Sequence, residues 1–136
     1  MIELKPILKN KLSNSKPLTN EDIQASCKKY KSFHGVYMRD TLPRKKMGVG
    51  IINLDSSSGK GTHWTLFMVK DHTCYYFDSY GFHAPKELEK YFNDDYIYST
   101  FILQDDGYYC GHLCILVLDN LNKGMSFQDA IQKLVL

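Results

Sequence analysis

Long apolar runs are missing from this chain of 136 residues. No stretch approaches the roughly 20 apolar residues that a membrane-spanning helix needs, and Met1-Ile2-Glu3-Leu4-Lys5 is not the start of a signal peptide. Cysteine is sparse: Cys27, Cys74, Cys110 and Cys114 follow neither the spacing of a disulfide framework nor that of a zinc ribbon. Cys110, His112 and Cys114 carry metal-ligating side chains. On a helix, however, the first and third share a face while His112 points away, which argues against a mononuclear metal site. Internal repeats and low-complexity tracts are also lacking. What remains is a reduced, soluble, intracellular or viral protein. Its length suits one domain, residues 1–136, with a real core, and is too short for two.

Charge is present but unevenly placed. The formal net charge is +2, yet residues 1–46 hold eleven Lys/Arg against four Asp/Glu, and the remainder holds six against eleven. A basic first third is most simply a solvated face or a loose arm; contact with a polyanion such as DNA is the functional alternative. Residues 1–19 are rich in Lys, Asn and Ser, and Pro6 and Pro17 interrupt any regular pattern, so an extended or partly ordered arm is expected.

Beyond the arm, Thr19 or Asn20 with acidic Glu21 and Asp22 forms a helix N-terminus, and the helix runs to about Lys31 with Ile23, Cys27 and Tyr30 on one face. Phe33 to Pro43 has no clear period and reads as an irregular crossing. Gly48 to Leu54 is strand-like, Asp55 to Gly61 is a polar loop, and Thr62 to Val69, apolar on both faces, is a central strand. Cys74 to Asp78 returns from a turn at Lys70 to Thr73. Pro85 opens a helix to about Phe92, and Tyr96 to Leu103 alternates as another strand. From Cys110 to about Asn122 the chain is apolar nearly all round, as a buried helix is, and Gly124 ends it. Ser126 caps a last helix to Leu134. The sum is an α+β fold, a small mixed sheet packed on a central helix with Cys110 at its N-terminus.

That position matters chemically. The free N–H groups and dipole of a helix start stabilise a thiolate, so a cysteine there is placed to be a nucleophile. The plainer reading is that a buried cysteine is a small hydrophobe. Gln104, six residues upstream, can offer its amide to an oxyanion, and His63, followed by Trp64, can serve as base. If Asp71 and His72 are the turn residues, Thr65 lies opposite Asp78 and His63 opposite Tyr80. Asp78 then sits diagonally from His63 on one face, about 7 Å away by backbone. A four-residue loop would set the two directly across from each other, and a one-residue bulge would separate them. His34, His72, His83 and His112 show no partner in the sequence and are expected on the surface or in satisfied packing positions.

The order His63-Trp64, then Phe77-Asp78-Ser79-Tyr80-Gly81-Phe82, then Gln104 and Cys110-Gly111 excludes a papain-like arrangement, in which cysteine comes first. It resembles the adenovirus-protease (adenain) and SUMO-protease superfamily of cysteine peptidases. Phe33-His34-Gly35-Val36-Tyr37 and the stretch from Thr73 to Phe82 are similar to the viral branch, which also includes enzymes of virophages and Maverick/Polinton-type elements. The acidic member is Asp, as in the SUMO-protease branch, where the adenovirus enzyme has Glu. The resemblance covers residues 33–122.

It implies that Cys110 attacks the scissile carbonyl, His63 moves the proton, Asp78 orients His63, and Gln104 with the Cys110 N–H binds the oxyanion. Trp64 packs against the catalytic pair and Gly111 allows close helix packing. The implied function is a viral maturation endopeptidase cleaving capsid or scaffold precursors next to glycine, within the virion and host cell interior. No cofactor is needed for the chemistry, and DNA or a viral peptide are the implied activators. Two alternatives stand beside it: an isopeptidase removing a ubiquitin-like protein, and a catalytically inactive binding module of the same fold.

Overall fold

A computed structural model describes residues 2–58 and 63–136. Part of the expected loop from Asp55 to Gly61, and Thr62 at the expected start of the central strand, lie outside the described residues. The elements run α1 (Pro6–Leu12), α2 (Asn20–Cys27), β1 (Phe33–Met38), β2 (Gly48–Asn53), β3 (Trp64–Lys70), β4 (Thr73–Phe77), α3 (Lys86–Tyr91), β5 (Ile97–Tyr98), α4 (Cys110–Asn122) and α5 (Phe127–Gln132). The five strands lie in one sheet in chain order. β1 runs parallel to β2 and β5 parallel to β4, while β3 is antiparallel to both its neighbours.

Alternation along the strands builds two apolar layers, one on each face of the sheet. Leu66 and Met68 of β3, with Val49 and Ile51 of β2, pack into a layer with Leu113, Cys114, Val117 and Leu118 of α4. Phe67 and Val69, with Ile52 and Tyr76, pack on the other face with Leu88 and Phe92 from the α3 region. β3 is thus buried on both sides, which is why it reads as a continuous apolar run, and α4 is the central helix expected for this α+β fold.

Three expectations need correction. The first 19 residues are not simply an extended arm: Pro6 stands at the first turn of α1, where its missing N–H has no helical partner to lose. Leu4 is buried and bridges Val135, and the Lys5 N–H donates to the Leu134 carbonyl. The segment 33–43 contains strand β1. No period is visible because an outer strand with a register shift between Phe33 and Gly35 is half-buried along most of its length. The expected strand from Tyr96 to Leu103 is only the pair Ile97–Tyr98. Beyond it the backbone leaves the sheet: the Glu3 N–H donates to the Ile102 carbonyl, and the Leu103 and Gln104 N–H groups both donate to the Ser79 carbonyl. Smaller differences are that α2 stops at Cys27, α5 at Gln132, and Pro85 is the N-cap of α3 rather than inside it.

Candidate active site

The β3–β4 hairpin decides where the histidine and the carboxylate meet. Lys70 pairs with Thr73, leaving Asp71 and His72 as a two-residue turn, and Asp71 takes the left-handed φ of 55° that such a turn requires. Pairing continues to Leu66 opposite Phe77. One step further sets Thr65 opposite Asp78, and His63 lies just before β3 on the same face. The ring closes the remaining gap, with His63 Nε2 2.7 Å from Asp78 Oδ1. Asp78 is buried, and its Oδ1 also accepts the Tyr80 N–H at 2.8 Å, which fixes the carboxylate. Tyr80 lays its ring against His63, centroids 4.8 Å apart.

Cys110 is the first residue of α4 and is 8% exposed. The Trp64 backbone N–H donates to its Sγ at 3.4 Å. His63, engaged by Asp78 through Nε2, also hydrogen-bonds the Cys110 thiol. Burial alone would push the Cys110 thiol up. The His63 hydrogen bond and charge, with the Trp64 and Gly111 N–H groups, outweigh it and hold the thiol below the usual thiol range. Burial would likewise lower His63, but Asp78 and Cys110 together raise it to about 9. Two other buried cysteines behave oppositely: burial pushes Cys27 up to about 11 and Cys114 well above the ordinary value. A thiol and imidazole that mutually favour their charged forms, backed by a buried carboxylate, can supply a nucleophile and a proton donor to an acyl centre.

Gln104 is fully buried. Its Oε1 accepts from the Ser79 hydroxyl, and its Nε2 donates to the Asp106 carbonyl at 2.9 Å. One of the two amide N–H groups is engaged there, and Gln104 is not among the described residues that line the cleft. Trp64 is anchored at its far edge, where its Nε1–H donates to the Leu18 carbonyl at 2.9 Å. Gly111 is buried against the same pair, and a Cβ added there would stand 3.2 Å from both Leu18 Cδ1 and Trp64 Cδ1.

His63, Trp64, Tyr80 and Cys110 line a cleft of about 660 Å³. Sequence reasoning missed one whole side of it: residues 17–21, the end of the expected arm and the first turn of α2, line it together with His63, Trp64 and Cys110. No local signal could have found them, because Leu18 reaches Trp64 across 46 positions of sequence. The contact of Tyr80 with His63 was legible, since the hairpin register sets the two opposite each other. Of the remaining histidines, His83 pairs with the Ala84 carbonyl and His72 is in the hairpin turn, but two are not in satisfied positions: His34 pairs with the Tyr37 hydroxyl while its Nε2 is buried without a partner, and so is Nδ1 of His112 on α4. Among the described residues no group of three ligating side chains could hold a metal, and no helix is long and apolar enough to cross a membrane.

A mixed five-stranded sheet backed by a central helix that begins at the cysteine, with histidine and aspartate at adjacent strand ends, is the SUMO-protease-like cysteine protease fold. Two crystal structures of the ASFV pS273R protease share it. One superposes with a TM-score of 0.65 at 13% identity, covering 99% of this chain and 66% of that one. The selenomethionine form gives 0.59 at 14%, covering 99% and 67%. The chain therefore spans about two thirds of the length of these neighbours, and at such identity the likeness concerns the fold. No family model and no curated protein matches the sequence.

Proposed function

We propose that the protein is a cysteine-type endopeptidase. The observation that carries this is the conjunction of Cys110, His63 and Asp78: a thiol lowered by an imidazole that is itself held at 2.7 Å by a buried carboxylate. In this reading Cys110 Sγ attacks the scissile carbonyl, and His63, charged in the resting pair, protonates the leaving amine. Asp78 keeps the ring in place and stabilises the imidazolium. The Cys110 N–H at the start of α4 stabilises the oxyanion, and the motif resemblance assigns Gln104, which the structure buries behind the cleft lining, as the second donor; losing one such donor typically costs on the order of 100-fold in rate. Water then releases the acyl group, so the chemistry needs no cofactor.

Likeness to a viral protease fold and the motif resemblance support a maturation role, with cleavage next to glycine in capsid or scaffold precursors inside the virion or infected cell. The surplus of Lys and Arg in residues 1–46 supports DNA as an activator; a viral peptide is the other candidate. The test is digestion of a peptide library prepared from a denatured proteome, with cleavage sites read by mass spectrometry. Wild type should cut next to glycine and Cys110→Ala should not. If DNA contributes, added duplex should raise the rate with a steep salt dependence. Absence of any Cys110-dependent cleavage, with and without duplex DNA, would refute the peptidase reading.

A further inference from the structure

We infer that Glu21 selects the substrate, receiving a lysine or arginine side chain that flanks the scissile bond; this rests on the peptidase reading above. Glu21 lines the catalytic cleft, is exposed, and has no hydrogen-bond or ionic partner among the described residues. Its neighbour Asp22 behaves differently. Asp22 closes the capping box with Thr19, its carboxylate accepting the Thr19 N–H at 3.0 Å while the Thr19 hydroxyl accepts the Asp22 N–H at 3.1 Å. The need of α2 for an acid in its first turn is thereby met by Asp22, and Glu21 is left facing the cleft.

The backbone that carries Glu21 is also held in place relative to Cys110. The capping box sets the first turn of α2, and the Leu18 carbonyl just before it is tied to Trp64, whose own N–H contacts Cys110 Sγ. Glu21 is thus carried on a segment anchored to the reacting centre.

Charge in the cleft completes the argument. A Cys110 thiolate, the His63 imidazolium and the Asp78 carboxylate together carry one negative charge, and Glu21 adds a second. Asp105 and Asp106 act on Tyr80 in the same cleft, adding to the burial that raises its hydroxyl. Among the described residues no Lys or Arg lines the cleft, although residues 1–46 contain eleven of them. Within the most basic part of the sequence, the charged side chain that reaches the cleft is a carboxylate. A cationic substrate side chain meets favourable potential there, and an anionic one is repelled.

The test is the same peptide library, digested by wild type, Glu21→Gln and Glu21→Lys and compared by site. In wild type, Lys or Arg should be enriched at one position flanking the scissile bond by about two- to fivefold, the scale of a solvent-exposed ion pair. Glu21→Gln should lose that enrichment, and Glu21→Lys should favour Asp or Glu at the same position. A gained preference is something a misfolded variant cannot display. Cleavage without any basic preference, or a basic preference that survives in both variants, overturns the role of Glu21 while leaving the peptidase intact. No Cys110-dependent cleavage at all overturns both.

Discussion

Replacing Asp78 with Asn removes one charge while preserving shape, and it tests the electrostatics of the site directly. Asp78 Oδ1 accepts from His63 Nε2 at 2.7 Å and from the Tyr80 N–H at 2.8 Å, in a side chain that is 1% exposed. An Asn carbonyl can accept both bonds, so the ring stays oriented. What is lost is the charge assistance: a hydrogen bond to a charged group contributes about 1.5–3 kcal/mol, and a neutral one about 0.5–1.5 kcal/mol. The difference, about 1–1.5 kcal/mol, corresponds to about one pKa unit. The sign is set by the pair. Asp78 helps raise His63 to about 9, so its neutralisation lowers the imidazole, while the Cys110 thiol, still facing a protonated His63 at acidic pH, does not rise. The window in which both are charged closes earlier at its alkaline end.

The assay is alkylation of each cysteine by iodoacetamide between pH 4 and 9, resolved by peptide mass spectrometry. Wild-type Cys110 should react well below the roughly 8.5 of a free thiol. In Asp78→Asn the alkaline step of that profile, where His63 loses its proton, should move down from about 9 by about one unit. Cys27 and Cys114, pushed up by burial, are internal controls that should stay slow in both proteins. An alkaline step that stays in place in Asp78→Asn, or moves to higher pH, would refute the coupling.

Two further outcomes follow from particular contacts. Gly111→Ala places a methyl 3.2 Å from Leu18 Cδ1 and Trp64 Cδ1; Ala gains about 1 kcal/mol of helix propensity but overpacking costs about 1–3 kcal/mol, so urea titration should show a loss of about 0–2 kcal/mol. Because Trp64 is tied to Leu18, alkylation of Cys110 should slow as well, and an unaltered rate would show that Leu18 yields freely. Burial, with some help from Lys46, depresses His34 from 6.5 to about 4, so the unfolded chain binds a proton that the folded one excludes. That stability is present above about pH 6.5 and is lost as the pH falls toward 4. The urea midpoint of wild type should therefore drop more between pH 7 and 4.5 than that of His34→Asn, and equal drops would contradict the assignment.

What could be read in advance was local. Binary pattern and end signals located β2, β3, β4 and α4, because an apolar run bounded by glycine or a turn has few alternatives over so short a span. The two-residue turn at Asp71-His72 then propagated register along the hairpin, so the meeting of His63 with Asp78 was available from residue counting. Cys110 at a helix start followed from the polar-to-apolar change after Gln104. Two segments misled for identifiable reasons. The alternation from Tyr96 to Leu103 is genuine, but hydrogen bonds to Glu3 and Ser79 draw the backbone off the sheet after Tyr98. The N-terminal prolines read as interruptions, although one of them opens α1.

The sequence by itself therefore determined the central helix, the hairpin and the order of the candidate site residues His63, Asp78 and Cys110, since these depend on periods and registers of a few residues. Tertiary structure alone decided how those parts become a cleft: that Leu18 ties Trp64 beside Cys110, that Gln104 is held by Ser79 and Asp106, and that Glu21 lines the cleft. The physical reason is the range of the interaction. Side-chain periodicity records which face of an element is buried, but not which distant segment of chain is packed against it.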